Sequence, residues 1–378
     1  MNYKKQSIAI VTLNGYHNYG NRLQNYALQT ALEHKGYKVD TLIFDEIECH
    51  ETLFEKYLRR VQGTLRIKNN YIITKLFIKK SSVAENYNLK QKKQILFDFT
   101  KKYIHERHID SNSFENLKIV NENYDYFIIG SDQIWNPDYF IDYHLNFATY
   151  AESSKRIVYA ASIGKTELNF WEKYIFRKGL INLNMVSLRE KSGQKLLEKL
   201  VGFKYDIVLD PTLLLSEEEW SELLPLNETL STYVLTYFLT DISKEISDQI
   251  IKYASSRNYD ILDLSSKEKT YSPIEFLQLI QNAKMVFTDS FHGTVFSIIF
   301  CTPFYVFQRS DRENGMYDRI ETLLETVGLQ NRQSPAKGIE YDEHCNFTHT
   351  KVRLEIEREE SLNYLLKSLG RNTYDIRE

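Results

Sequence analysis

Short apolar runs bounded by turn residues recur along this chain and alternate with stretches of helical periodicity, the pattern of a parallel sheet covered by helices on both faces. Strands are expected at Ser7–Leu13, Lys38–Phe44, Tyr126–Gly130, Arg156–Ser162, Met185–Leu188 and Asp206–Leu209, and again at Tyr233–Leu239, Tyr259–Leu264, Met285–Thr288 and Phe304–Phe307. The clearest helix is Asn21–Lys35, with Leu23, Tyr26, Ala27, Thr30, Ala31 and His34 on one stripe; others are expected at Glu245–Ser256, Pro273–Ala283, His292–Phe300 and Asp318–Val327. The fold class is therefore α/β.

At 378 residues the chain exceeds what one core supports, so two lobes and a cleft are expected. Asp210-Pro211-Thr212 followed by the acidic Ser216–Leu230 reads as the hinge, giving lobes at 1–215 and 216–345. Residues 346–378 hold a charged amphipathic helix, Thr350–Leu369, expected to cross back onto the first lobe. About 80 residues separate the second and third strands, far more than an ordinary crossover, so 46–123 is expected to form a helical insertion. Within it, Phe54–Lys80 mixes Lys and Arg with Leu, Ile, Tyr and Phe, which suits either peripheral membrane contact or a solvated helical face.

A net charge of -3 gives no general attraction to nucleic acid. Cys49, Cys301 and Cys345 form no CxxC pair, so neither a zinc ribbon nor a disulfide framework is indicated and a reducing compartment fits best. No window approaches the roughly 18 apolar residues of a membrane span, and the N-terminus is too weakly apolar for a signal peptide. A cytoplasmic location is expected, with the inner face of the cell membrane as a working place.

Four stretches carry polar residues to the carboxyl ends of expected strands, the edge at which open α/β sheets bind ligands. After the first strand comes Asn14-Gly15-Tyr16-His17-Asn18-Tyr19-Gly20-Asn21, whose glycines relax the backbone while the asparagines offer amide groups. An ordinary turn with Asn21 as helix cap explains it equally well. After YFIIG, the residues Ser131, Asp132, Trp135 and Asn136 combine polar groups with an aromatic face suited to a sugar ring. The alternative is that Ser131 or Asp132 caps a helix and Trp135 packs inside.

The third stretch ends a buried strand in Arg189, where a guanidinium needs an anion, either a ligand carboxylate or phosphate or the adjacent Glu190. In the fourth, Thr288-Asp289-Ser290 runs into a helix beginning His292-Gly293-Thr294, a ready anion site to which Arg309 and Arg312 could add charge. His292 suits proton transfer near neutral pH, or is a buried capping residue.

In order and spacing, Asn18–Asn21 with Gln24 and Ala27, GSDQIWN at Gly130–Asn136, SLRE at Ser187–Glu190, DPTLLL at Asp210–Leu215 and TDSFHG at Thr288–Gly293 resemble the polysaccharide pyruvyl transferase family. The resemblance implies two Rossmann-like lobes whose parallel sheets face a central cleft, similar to the GT-B glycosyltransferase architecture. It implies a transferase that moves pyruvate from phosphoenolpyruvate to a sugar hydroxyl pair as a ketal in surface polysaccharide biosynthesis. No metal or cofactor beyond that co-substrate is implied, and the acceptor sugar is lipid-linked or nucleotide-linked.

On this basis His292 takes an acid or phosphate-stabilising role, and Arg189, Ser290, His292, Gly293, Thr294, Arg309 and Arg312 surround the donor. Asp132 serves as base or hydroxyl contact. Asn18, Tyr19, Gly20, Asn21, Gln24, Ser131, Trp135 and Asn136 face the acceptor. Family members carry Arg-x-His-Gly where this chain has Ser290-Phe291-His292-Gly293, so Arg309 or Arg312 must replace the lost cation, or the donor or acceptor differs. Two other functions suit the same residues: a GT-B-like glycosyltransferase using a nucleotide sugar, and a non-catalytic glycan-binding component of a polysaccharide assembly complex.

Overall fold

The apolar runs pair side by side into two parallel sheets. The computed structural model describes residues 5–16, 18–44, 83–110, 114–139, 142–183, 185–225, 232–266, 268–309, 314–334 and 340–370. In chain order its elements are β1 (Ser7–Val11), α1 (Tyr19–His34), β2 (Lys38–Phe44), α2 (Val83–Tyr103), β3 (Glu106–Ile109), α3 (Phe114–Asn123), β4 (Tyr126–Ile129), α4 (Tyr143–Asn146), β5 (Arg156–Ala161), α5 (Phe170–Leu180), β6 (Val186–Leu188), α6 (Lys191–Val201), β7 (Asp206–Ile207) and α7 (Glu217–Ser221). The second half continues with β8 (Tyr233–Tyr237), α8 (Lys244–Ser256), β9 (Asp260–Asp263), α9 (Pro273–Asn282), β10 (Met285–Thr288), α10 (Phe291–Ile299), β11 (Phe304–Val306), α11 (Asn314–Val327) and α12 (Thr348–Ser368).

The first sheet runs β3-β2-β1-β4-β5-β6-β7 and the second β11-β10-β8-β9, with every pairing parallel. Central strands are buried on both faces, as Ile8–Ile10 and Phe127–Ile129 are, which is why they read as unbroken apolar runs. The two-lobed, GT-B-like α/β arrangement is thus present in the strand order itself. In each sheet the order reverses direction once, between β1 and β4 and between β8 and β10. Loops leaving such neighbours diverge to opposite faces and open a crevice at the carboxyl edge.

The two lobes share one apolar cluster. Tyr19 of α1 stacks on Phe276 of α9 with ring centroids 4.9 Å apart, and Tyr26 of α1 meets Trp220 of α7 at 5.6 Å. Helix α12 packs back on the first lobe: Arg358 Nε donates to the Leu213 carbonyl at 2.8 Å, and the Leu209 N–H donates to Ser361 Oγ at 3.0 Å. Among the described residues no helix is long and apolar enough to cross a membrane.

The stretch expected to form a helical insertion, 46–123, also supplies β3, an edge strand. An edge strand pairs on one side only; in β3 just Ile109 is buried, so its sequence, Glu-Arg-His-Ile, shows no apolar run. Phe54–Lys80, the segment considered for membrane contact, lies outside the described residues.

Candidate active site

The two crevices face each other across a cleft of about 450 Å³, walled by the loops after β1, β4, β8 and β10 and by α11. On the first-lobe side the walls include Asn14, Gly15, Asn18, Asn21, Asp132 and Gln133; the second lobe contributes Leu239, Asp289, Ser290, Phe291, His292, Arg309 and Arg319. Three of the four stretches expected at a site therefore meet at these switch points. The remaining stretch, Ser187–Glu190, ends β6, and its Arg189 is buried behind the cleft wall, against Asp132 and Phe291.

Arg189 is the hub. Its Nη1 donates to Asp210 Oδ2 and its Nη2 to Asp132 Oδ1 at 3.4 Å, while its guanidinium lies 4.5 Å over the Phe291 ring. The salt bridge expected as its structural alternative is present, with Asp210 and Asp132 in place of Glu190. Glu190 Oε1 accepts instead from the Ile163 and Gly164 N–H groups at 2.8 and 3.4 Å. Burial disfavours the charge on Asp132 and Asp210, yet Arg189 and then His292 outweigh it and hold both carboxyls below the usual range. Asp210 is fixed further by the Thr212 N–H at 3.0 Å and hydroxyl at 2.6 Å.

His292 stands in the first turn of α10. Its Nε2 is buried, lies 3.9 Å from Asp210 Oδ1, and has no hydrogen-bond partner among the described residues. Burial, only partly offset by Asp210 and Asp132, lowers its pKa, so the imidazole is neutral at neutral pH. The ring packs directly on Gly20, where a Cβ would come within 1.9 Å of Nδ1. That contact, across the two lobes, is the physical reason for glycine in Asn18-Tyr19-Gly20-Asn21. Asn18 Oδ1 caps α1 through the Gly20 N–H at 2.8 Å, and Asn21 Nδ2 bridges the Leu13 carbonyl at 2.8 Å to Asp132 Oδ2 at 3.3 Å.

Several expected site residues are elsewhere. Trp135 is wholly buried, stacked on Phe147 at 4.9 Å, with its indole N–H on the Asn146 carbonyl at 3.3 Å, so it offers no face to a sugar. Tyr19 is buried between the lobes with its hydroxyl on the Tyr271 carbonyl at 2.9 Å. Gln24 and Ser131 cross-link the β1 and β4 loops: Gln24 Nε2 donates to Thr12 Oγ1 at 3.0 Å, and the Ser131 N–H donates to Gln24 Oε1 at 3.3 Å. Asn136 holds its own turn through Gln133 Oε1 at 2.7 Å and the Asp138 N–H at 3.0 Å. In each case the polar group satisfies a buried loop rather than a ligand.

At α10, Ser290 is the N-cap and its Oγ accepts the Gly293 N–H at 3.3 Å, while the buried Thr294 hydroxyl donates to the Ser290 carbonyl at 3.0 Å. Gly293 and Thr294 thus serve the helix start, and Phe291 and His292 are what α10 contributes to the cleft. Arg309 lines the cleft as expected; Arg312 lies outside the described residues.

Arg319 was missed, and Asp289, expected only as part of the cleft wall, was given no role of its own. Arg319, on α11, lines the cleft with its guanidinium 5.6 Å from the Phe291 centroid; burial and then Arg189 lower its pKa to about 10, so it remains a cation. Asp289 holds the loop after β8, accepting the Leu239 N–H at 2.7 Å, the Thr240 N–H at 3.1 Å and the Thr240 hydroxyl at 2.7 Å.

Solved structures similar to this chain include the S. aureus MnaA–UDP co-structure, with a TM-score of 0.48 at 10% identity over 98% of this chain and 98% of that one. A putative UDP-N-acetylglucosamine 2-epimerase from Listeria monocytogenes gives 0.46 at 10% identity, covering 96% and 91%. E. coli heptosyltransferase WaaC with ADP-2-deoxy-2-fluoro heptose gives 0.34 at 11%, covering 94% and 99%. No curated protein matches the chain by sequence. The profile of the family described as polysaccharide pyruvyl transferase matches residues 18–311, a span that takes in Asn18, Asp132, Arg189, Asp210 and His292. With most of its length and all of these residues inside that match, the chain belongs to the polysaccharide pyruvyl transferase family.

Proposed function

We propose that this protein transfers the pyruvyl group of phosphoenolpyruvate to two hydroxyls of a sugar, forming a ketal and releasing phosphate. The observation that carries this reading is His292 Nε2, buried without a hydrogen-bond partner among the described residues in a cleft that also holds Arg309 and Arg319 and adjoins Arg189. A trianionic donor suits the Arg309 and Arg319 guanidinium groups in the cleft wall, and Arg319, against Phe291 with Arg189 behind it, supplies the cation that Ser290 does not.

The lowered pKa of His292 gives the order of events. The imidazole is neutral before the donor arrives, and the donor's negative charge raises its pKa, so proton uptake accompanies binding. His292 then protonates the methylene carbon, which leaves the adjacent carbon electron-poor. One sugar hydroxyl adds there and gives its proton to the now neutral His292, the carbon–oxygen bond to phosphate breaks with its electron pair, and the second hydroxyl closes the ketal as its proton leaves on the phosphate. One phosphoenolpyruvate and one diol give one ketal and one phosphate. Asp132, ionised and touching Asn21, orients the acceptor hydroxyl from the first-lobe side; its lowered pKa makes it a poor store for that proton.

The experiment is incubation of the protein with phosphoenolpyruvate and pooled sugar acceptors, read by mass spectrometry. The expected product is heavier than an acceptor by pyruvic acid less one water, with equimolar phosphate. Arg189→Ala and His292→Gln are each expected to slow it at least about 100-fold. Glycosyl transfer from a nucleotide sugar, with no ketal on any acceptor, would establish the glycosyltransferase reading instead.

A further inference from the structure

Away from the cleft, α5 turns an apolar and basic face to solvent. Phe170, Lys173, Tyr174, Arg177, Lys178 and Ile181 follow one helical face, and all are exposed or half-buried, Phe170 at 75% and Ile181 at 57%. The opposite face, with Ile175, Phe176 and Leu180, packs into the first sheet's core. Trp171 stacks on Tyr174 with centroids 5.4 Å apart, and the Lys178 ammonium lies 5.1 Å from the Tyr174 ring centre.

The helix's one acid is turned inward. Glu172, with its side chain 5% exposed, closes the capping box with Asn169 and binds Lys165 at 3.0 Å. The neighbouring α6 touches α5, sits on the same core, and turns Lys195 and Lys199 outward against Glu198; the turn after it exposes Phe203 at 60% beside Lys204.

Charge and apolarity together select the partner. A soluble polyanion would use the cations and leave the exposed Phe and Ile in water, while protein interfaces are depleted in lysine. A bilayer surface takes both, with aromatic and aliphatic groups at the headgroup level and Lys and Arg on anionic lipids. We propose that the α5 face docks this protein on an anionic lipid bilayer, with the helix lying in the plane of the headgroups. The docking is independent of which donor the cleft takes.

The test is flotation of the full chain with vesicles of phosphatidylcholine alone or in equimolar mixture with phosphatidylglycerol. Binding is expected only to the anionic vesicles and is weakened by salt. Lys173→Glu with Arg177→Glu should lower it at least about 25-fold, from a factor of about five per cation at such a surface. Phe170→Ser should lower it about tenfold through lost apolar burial. Both changes are on exposed positions, and unchanged thermal unfolding of each variant confirms the fold. The inference is overturned by a wild type that never floats, by a charge-reversed variant that floats as well as wild type, or by a Phe170→Ser variant that binds unchanged.

Discussion

The Phe291 ring carries two guanidinium groups, Arg189 at 4.5 Å and Arg319 at 5.6 Å from its centroid, beside Ser290, where the sequence resemblance leads to the expectation of an arginine. If Arg319 supplies the missing cation, Arg319→Gln raises the KM for phosphoenolpyruvate at least tenfold, from the ~1.5–3 kcal/mol of a hydrogen bond to a charged group. Adding Ser290→Arg to that variant should recover part of the loss in steady-state kinetics. Gly20→Ala forces the His292 ring off its seat, since the new Cβ would lie 1.9 Å from Nδ1. Turnover should fall about 100-fold, as misplacement of a catalytic group by an ångström does.

His292 also sets a pH dependence. Its folded pKa lies below the ordinary 6.5, so the unfolded chain binds more protons below 6.5. The stabilisation from keeping the ring neutral is complete above 6.5 and declines as pH falls beneath it. Thermal unfolding across that range should show a shallower decline in His292→Gln than in wild type.

At the level of elements, legibility followed the apolar run, which burial does not always match: β9 was readable although none of its residues is buried. β1, β4, β8 and β10 were readable because both faces are apolar, and these are the strands whose loops make the cleft. β3 was not, because Glu-Arg-His-Ile has a single apolar residue. The polar motifs were found where the loops are, but their direction was not written in them. Asn18 and Asn21 line the cleft, whereas Trp135, Gln24 and Ser131, similar in type and spacing, point into the protein. Arg319 gave no signal, being one arginine on an amphipathic helix that reaches the site only through the packing of α11 near Arg189 and α10.

Asp289, adjacent to the helix cap, is an element-scale case: its carboxylate holds the β8 loop through three donors. Asp289→Ala leaves two part-buried backbone N–H groups to water, at about 0.5–1.5 kcal/mol for each bond lost. Faster hydrogen exchange at residues 239–240 and a KM raised about tenfold are the expected outcomes.

For the whole molecule, the apolar cluster joining α1, α7, α9 and α10 makes the lobes one folding unit. Calorimetry should show a single transition, and Tyr19→Ala should lower stability by about 3–5 kcal/mol, as large-to-small changes in a core do. Tyr19→Phe removes only the bond to the Tyr271 carbonyl, about 0.5–1.5 kcal/mol, and should leave turnover within about threefold of wild type. A larger drop would return Tyr19 to the acceptor site.

The same joining of lobes places Gly20 against His292 and lets the charge cluster of Arg189, Asp132, Asp210 and Arg319 close one cleft. Calorimetric titration of phosphoenolpyruvate into wild type, Arg319→Gln and His292→Gln, at two pH values and in two buffers of different ionisation enthalpy, tests that arrangement most directly. Wild type should bind with proton uptake, His292→Gln should bind without that uptake, and Arg319→Gln should bind at least tenfold more weakly. No binding by wild type, or equal affinity and equal proton uptake in all three, would contradict the assignment of this cleft as the phosphoenolpyruvate site.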